Sequence, residues 1–113
     1  MWNKSYIIIN TQFPATHCWP ECSIIEQIHL RHPHRHMFHV RMKWRVWDDN
    51  REIEFLEMKR VVEEFINEAW WGKFLENASC EMLCKRLAAQ FDACYVRVME
   101  DAENGAEYFI EED

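Results

Sequence analysis

His34-Arg35-His36-Met37-Phe38-His39-Val40-Arg41-Met42-Lys43-Trp44-Arg45-Val46 alternates along its whole length. Its even positions read His, His, Phe, Val, Met, Trp, Val, and its odd positions Arg, Met, His, Arg, Lys, Arg. Successive side chains of a strand point to opposite faces, so the pattern predicts a β-strand over 34–46 with one apolar and one mostly basic face. A second strand is expected from Ser5 to His17. There the β-branched run Ile7-Ile8-Ile9 sits among Ile7, Ile9, Phe13 and Ala15 at two-residue spacing, ended by Pro14 or shortly after it. His17 shares the parity of that apolar set. Between the two strands, Cys18 to Leu30 has no clean period and reads as a long loop, of the kind that often carries function.

Two strands with an apolar face require a cover, and the sequence supplies one downstream. After the turn Asp48-Asp49-Asn50, the residues Phe55, Met58, Val61, Val62, Phe65, Ile66 and Ala69 recur at three- and four-residue steps, the mark of an amphipathic helix. Cys80, Leu83, Cys84, Leu87, Ala88 and Phe91 mark a second helix, capped by Asn77 or Ser79. Cys94 to Glu100 alternates again, Asn104-Gly105 has the composition of a hairpin turn, and Ala106 to Ile110 makes the last strand. The expected fold is α+β: order ββααββ, a four-stranded antiparallel sheet with two antiparallel helices on one face.

With 113 residues, 49% of them apolar, the chain has enough material for one packed domain over 1–113. A net charge of −7 argues against non-specific binding to nucleic acid or to an anionic membrane, since both need Lys and Arg to neutralise phosphate. The expected partner is a small molecule. Five Cys is an odd number, and Cys80 and Cys84 fall on an apolar helical stripe, so the thiols read as reduced core residues and the protein as cytoplasmic. Disorder is expected only at the acidic C-terminal tail.

Five segments resemble, in order, those of the 6-pyruvoyl-tetrahydropterin synthase and 6-carboxy-tetrahydropterin synthase family. Phe13-Pro14-Ala15-Thr16-His17 is similar to its Phe-x-Ala-x-His strand, and His34-Arg35-His36-Met37-Phe38-His39-Val40 to its His-Gly-His-Asn-Tyr-x-Val strand. Ile53-Glu54-Phe55-Leu56-Glu57-Met58-Lys59 is similar to the start of its first helix, and Asn77-Ala78-Ser79-Cys80-Glu81-Met82-Leu83 to its Asn-Pro-Thr-x-Glu-Asn-Leu. Val98-Met99-Glu100-Asp101, followed by Ala106 and Tyr108, resembles its Val-x-Glu-Thr segment and the Ala-x-Tyr beyond it. The resemblance implies a tunnelling-type fold assembled into barrels, usually hexamers, with Zn²⁺ held by His17, His34 and His36. It also implies that Glu100 anchors a pterin-like ring in a site shared between subunits. The implied activity is that of a zinc-dependent lyase on dihydroneopterin triphosphate, toward tetrahydropterin or 7-deazaguanine derivatives.

The residues can be weighed without the family as well. Two imidazoles at i and i+2 on one strand face, with a third on another strand, can converge on Zn²⁺ and leave a fourth position for water or substrate. His32 and His34 form an alternative pair of the same parity. Cys18 adjoins His17 but should point the other way along a strand. Glu100 ends the apolar stripe Cys94, Val96, Val98, where a carboxylate needs a donor: two adjacent N–H groups of a ring, or an Arg or Lys. Two departures from the family bear on mechanism. Leu30 stands where its nucleophilic Cys would be, and Trp70, Trp71 and Gly72 fall where its Asp-His pair would be. Cys22 and Glu26, in the loop between the ligand-bearing segments, are the nearest replacements for that catalytic group, either one a potential general base. Arg35, Arg41, Lys43 and Arg45 read as a stripe paired with Glu107 and Glu111, or as an attraction for a substrate triphosphate. A catalytically inactive zinc- and ring-binding homologue is the main alternative to an enzyme.

Overall fold

The computed structural model describes residues 3–110. Of the residues singled out above, Glu111 lies outside them, as does the end of the acidic tail. The element order is β1 (Ser5–His17), a 3₁₀ turn of helix (Ile25–Arg31), β2 (His34–Val46), α1 (Phe55–Ala69), α2 (Cys80–Phe91), β3 (Tyr95–Glu100) and β4 (Asn104–Phe109). The four strands form one antiparallel sheet in the order β1-β2-β3-β4. The α+β class, the antiparallel sheet and the ββααββ order therefore agree with the sequence pattern.

The β1–β2 register opposes Phe13 to Phe38, Ile9 to Met42 and His17 to His34, which puts both apolar parities on one face. That face meets Val62 and Ile66 of α1 and Leu83, Cys84, Leu87 and Ala88 of α2, all buried. Phe13 and Phe38 stack with centroids 5.3 Å apart, and Trp70 packs on Phe13 at 5.5 Å. Each fully buried side chain of this size contributes about 1.5–3 kcal/mol, so the shared face is what holds the helices to the sheet. Glu54 caps α1 by accepting from the N–H groups of Leu56 and Glu57, and Ser79, rather than Asn77, caps α2 through Met82 N–H at 3.1 Å.

Three expectations need correction. The stretch 18–30 is not all loop, because Ile25–Arg31 winds into 3₁₀ helix; with none of its residues buried, it has no apolar stripe for periodicity to detect. The last hairpin does not turn at Asn104-Gly105. Asp101 and Ala102 take the left-handed conformation (φ 54° and 58°), Glu103 N–H donates to Glu100 O, and Asn104 and Gly105 already belong to β4. Glu107 does not neutralise the basic stripe either. It accepts the hydroxyl of Tyr95, while Arg41 donates to Asn10 and the cations of Lys43 and Arg45 lie over the rings of Tyr95 and Trp47.

Among the described residues none of the five cysteines is joined in a disulfide. Among the described residues no helix is long and apolar enough to cross a membrane.

Candidate metal centre

The linker between α1 and α2 builds one wall of the site. Gly72 N–H donates to Pro14 O, Thr16 N–H to Lys73 O, Leu75 N–H to Thr16 O and Cys18 N–H to Glu76 O, so the linker runs beside the outer edge of β1. An edge strand can hold Pro14 for the same reason that it can accept this strap. The strap ends at Ala78, whose carbonyl accepts from His17 Nδ1 at 2.7 Å. His17 is thereby fixed in a buried position, across the sheet from His34.

His34 and His36 occupy the same face two residues apart. The ring centroids are 4.6 Å (His17–His34), 5.3 Å (His17–His36) and 4.9 Å (His34–His36) from one another. One ligand nitrogen from each ring falls within 4.8 Å of the others. His34 Nδ1 donates to His32 O at 2.9 Å, and His36 Nδ1 to Asp101 Oδ2 at 2.6 Å. All three Nδ1 atoms thus face oxygens that only accept, so Nδ1 carries the proton and each Nε2 is left with its lone pair. Metal-binding histidines are oriented in just this way, by an acceptor behind the ring.

The donor set is one that can hold a metal ion. His17 Nε2 and His36 Nε2 are buried and, among the described residues, have no aligned hydrogen-bond partner, a costly arrangement unless a cation takes up their lone pairs. Three imidazole nitrogens are a common zinc set. His32 stays exposed and contributes only its backbone carbonyl, so the alternative His32/His34 pair is not the one brought to the cluster.

Glu100 reaches the same point from β3. Register places it opposite Phe38, and its Oε2 lies 3.0 Å from His17 Nε2 and its Oε1 3.5 Å from His36 Nε2. Neither contact has the alignment of a hydrogen bond. The proximity of His17, then the charges of His36, His17 and His34, hold the Glu100 carboxyl below the usual range in spite of its burial. Burial works against charge on His17, but Glu100 and the Ala78 carbonyl outweigh it and raise the imidazole's pKa. His36 and the N–H of Met37 likewise hold Asp101 low.

Beside the cluster lies a cavity of about 540 Å³, lined among others by His17, His34, Glu100, Cys80, Trp19 and Asn104. Leu30 also lines it and presents an apolar side chain. The structure does not bring Cys22 or Glu26 there. Cys22 is fully buried with its thiol toward Gln27 O at 3.4 Å, and Glu26 is exposed on the 3₁₀ segment. Neither lines the cavity, although Glu21 and Leu30 of the same segment do. Trp70 is in the core and Trp71 is exposed.

Comparison with models of known protein families gives no match, and comparison with curated proteins gives none.

Two residues of the site escape a reading by pattern. Asp101 follows a strand and by alternation should point away from Glu100, but its left-handed backbone turns it back to His36. Asp tolerates that conformation better than most residues, and an Asp directly after a strand is the available sign. Cys80 reads as one residue of a helix stripe, yet it also lines the cavity. Burial, and then the charge of Glu100, push its thiol up to about 12, so it keeps its proton and is neither a good nucleophile nor a good acid.

Proposed function

We propose that this chain is a zinc-dependent lyase of the 6-pyruvoyl-tetrahydropterin synthase type, acting on dihydroneopterin triphosphate or a related pterin. The observation that carries the reading is the convergence of three imidazoles, each held from behind by an acceptor, beside a cavity that Glu100 also faces. The strand and helix order supports a tunnelling-type fold for the chain. In this reading His17, His34 and His36 hold the ion, which when bound would polarise side-chain oxygens of the substrate. Glu100 accepts two adjacent N–H groups of the ring. The protonated thiol of Cys80 forms part of the cavity wall. The cavity has room for a bicyclic ring and a short side chain.

The expected outcome of metal analysis is about one zinc per chain. His34→Ala and His36→Ala should remove it. His39→Ala should not, because His39 alternates onto the opposite face of β2. Equal loss from all three variants would sink the assignment. A second reading, a zinc- and ring-binding protein without turnover, is favoured by Leu30 in the cavity wall and by the burial of Trp70 where a relay would stand. Incubating the zinc-loaded protein with dihydroneopterin triphosphate and identifying products by mass separates the two.

A further inference from the structure

We propose that Glu100 is a fourth ligand of the same metal, so that the resting centre is a closed site of three imidazoles and one carboxylate. The proposal rests on the reading of His17, His34 and His36 as a metal site, and goes beyond it.

The argument begins with lone pairs. The acceptors behind the rings, Ala78 O, His32 O and the Asp101 carboxylate, put the protons on Nδ1 and leave Nε2 as an acceptor. An ionised carboxylate is also an acceptor only. Yet Glu100 Oε2 and Oε1 sit 3.0 Å and 3.5 Å from the Nε2 atoms of His17 and His36. Acceptors so close repel unless a positive centre lies between them. A proton on His17 answers at most the closer contact, and neither contact is aligned as a hydrogen bond. A metal answers all of it. Ligand atoms about 2.0–2.1 Å from a tetrahedral zinc are about 3.3 Å from each other, and the two observed separations fall on either side of that value.

The backbone leaves Glu100 little choice of position. It pairs with Phe38 in the β2–β3 ladder, on the face that carries His36, and Asp101 N–H donates to Met37 O at 2.8 Å just beyond it. The turn that follows carries the carboxylate of Asp101 behind His36. One short segment thus supplies both a ligand and the group that orients another ligand. With the fourth position filled, small anions have no place on the metal. A ring with two adjacent N–H groups competes with the metal for the same carboxylate, and its binding opens the position that Glu100 vacates.

Cobalt(II) and azide test this in the 113-residue chain. The wild type should take up one cobalt, show the visible bands of a four-coordinate ion, and leave them unchanged in millimolar azide. Glu100→Ala should bind cobalt more weakly by more than the roughly tenfold that loss of an outer-shell partner can cost, and its bands should shift with azide. Glu100→Gln, closer in shape, should also admit azide. A wild-type spectrum that responds to azide overturns the fourth-ligand assignment while leaving the three-imidazole site intact, and this arm holds even where a variant fails to fold. Unchanged affinity and spectrum in both variants overturns it too. A wild type that binds no cobalt or zinc overturns the metal site itself and this proposal with it.

Discussion

At His17 a buried ring is held between a carbonyl and a carboxylate, and its protonation state ties the site to the stability of the fold. Without a metal, burial disfavours charge on the ring, but Glu100 and Ala78 O prevail and raise its pKa above the ordinary 6.5. His17 lowers the Glu100 pKa below the ordinary 4.5 in return. A raised imidazole contributes stability that is complete below its unfolded value and lost as pH rises through its folded value. A lowered carboxyl contributes stability that is complete above its unfolded value and lost as pH falls through its folded value. Both contributions are therefore complete between pH 4.5 and pH 6.5, where the metal-free protein should reach its highest Tm. Zinc reverses the upper side, because ligand imidazoles must be unprotonated, so its stabilisation should grow as pH rises past that window. Thermal melts from about pH 4 to about pH 9, with chelator and with zinc, should show the maximum move upward with the metal. Coincident maxima would contradict it. The three histidines are legible in the sequence because each shares the parity of an apolar strand face. What orients them is not: Ala78 and Asp101 lie 61 and 65 residues away from the rings they hold. Cys22 and Glu26 fail for the opposite reason, since closeness in sequence to the ligand segments says nothing about which way a connecting segment folds.

Among the elements, the long strands and both helices follow from hydrophobic period, and their bounds at Ser5–His17, His34–Val46, Phe55–Ala69 and Cys80–Phe91 are where that period begins and ends. The last hairpin defeats this reasoning. Asn104-Gly105 has the composition of a tight turn, but Gly105 is present for space, because a Cβ there would lie 2.0 Å from the carbonyl oxygen of Val98 and 2.6 Å from Cα of Met99. Both obstacles are backbone, so they cannot rotate away. Gly105→Ala should force β4 from β3 and destabilise the protein by roughly 2–3 kcal/mol, the upper part of the range for overpacking. Because Met99 precedes Glu100, the same variant should disturb the carboxylate at the metal centre. Urea denaturation of the metal-free variant, with the zinc affinity of the folded fraction, measures both effects. A midpoint equal to that of the wild type would mean that the strands separate at no cost.

The whole molecule is flatter than a chain of its length needs to be. It measures 50 × 32 × 21 Å with a radius of gyration of 15.7 Å, against about 13 Å for a compact domain of this size. The cause is that helices cover one face of the sheet only. The other face presents Tyr6 and Ile8 of β1 and Phe109 of β4, each more than two-fifths exposed, around a cavity of about 490 Å³ that Lys43 and Arg45 also line. The strap from Gly72 to Glu76 engages only the end of β1 near His17, and among the described residues the rest of that edge and the outer edge of β4 have no strand partner. Open edges and an apolar face are ordinarily blunted or covered, and here neither Pro nor inward charge protects the stretch from Ser5 to Phe13. A second copy of the chain can cover both. A stable interface removes roughly 800 Å² from each partner, and a surface of this extent can supply it. The protein should accordingly be oligomeric at micromolar concentration, with a scattering mass that is a multiple of 13.9 kDa. Ile8→Lys brings a cation opposite Lys43 in the β1–β2 register, on the uncovered face and far from the histidines. It should shift the population toward monomer, and a repelled interface should make that shift relax in high salt. Zinc content should not change if each centre is built within one chain, as the contacts of Glu100 with His17 and His36 indicate. Sedimentation of the wild type as a 13.9 kDa monomer would remove the assembly, whereas a monomeric Ile8→Lys protein that has lost its zinc would mean that the centre depends on a neighbouring chain.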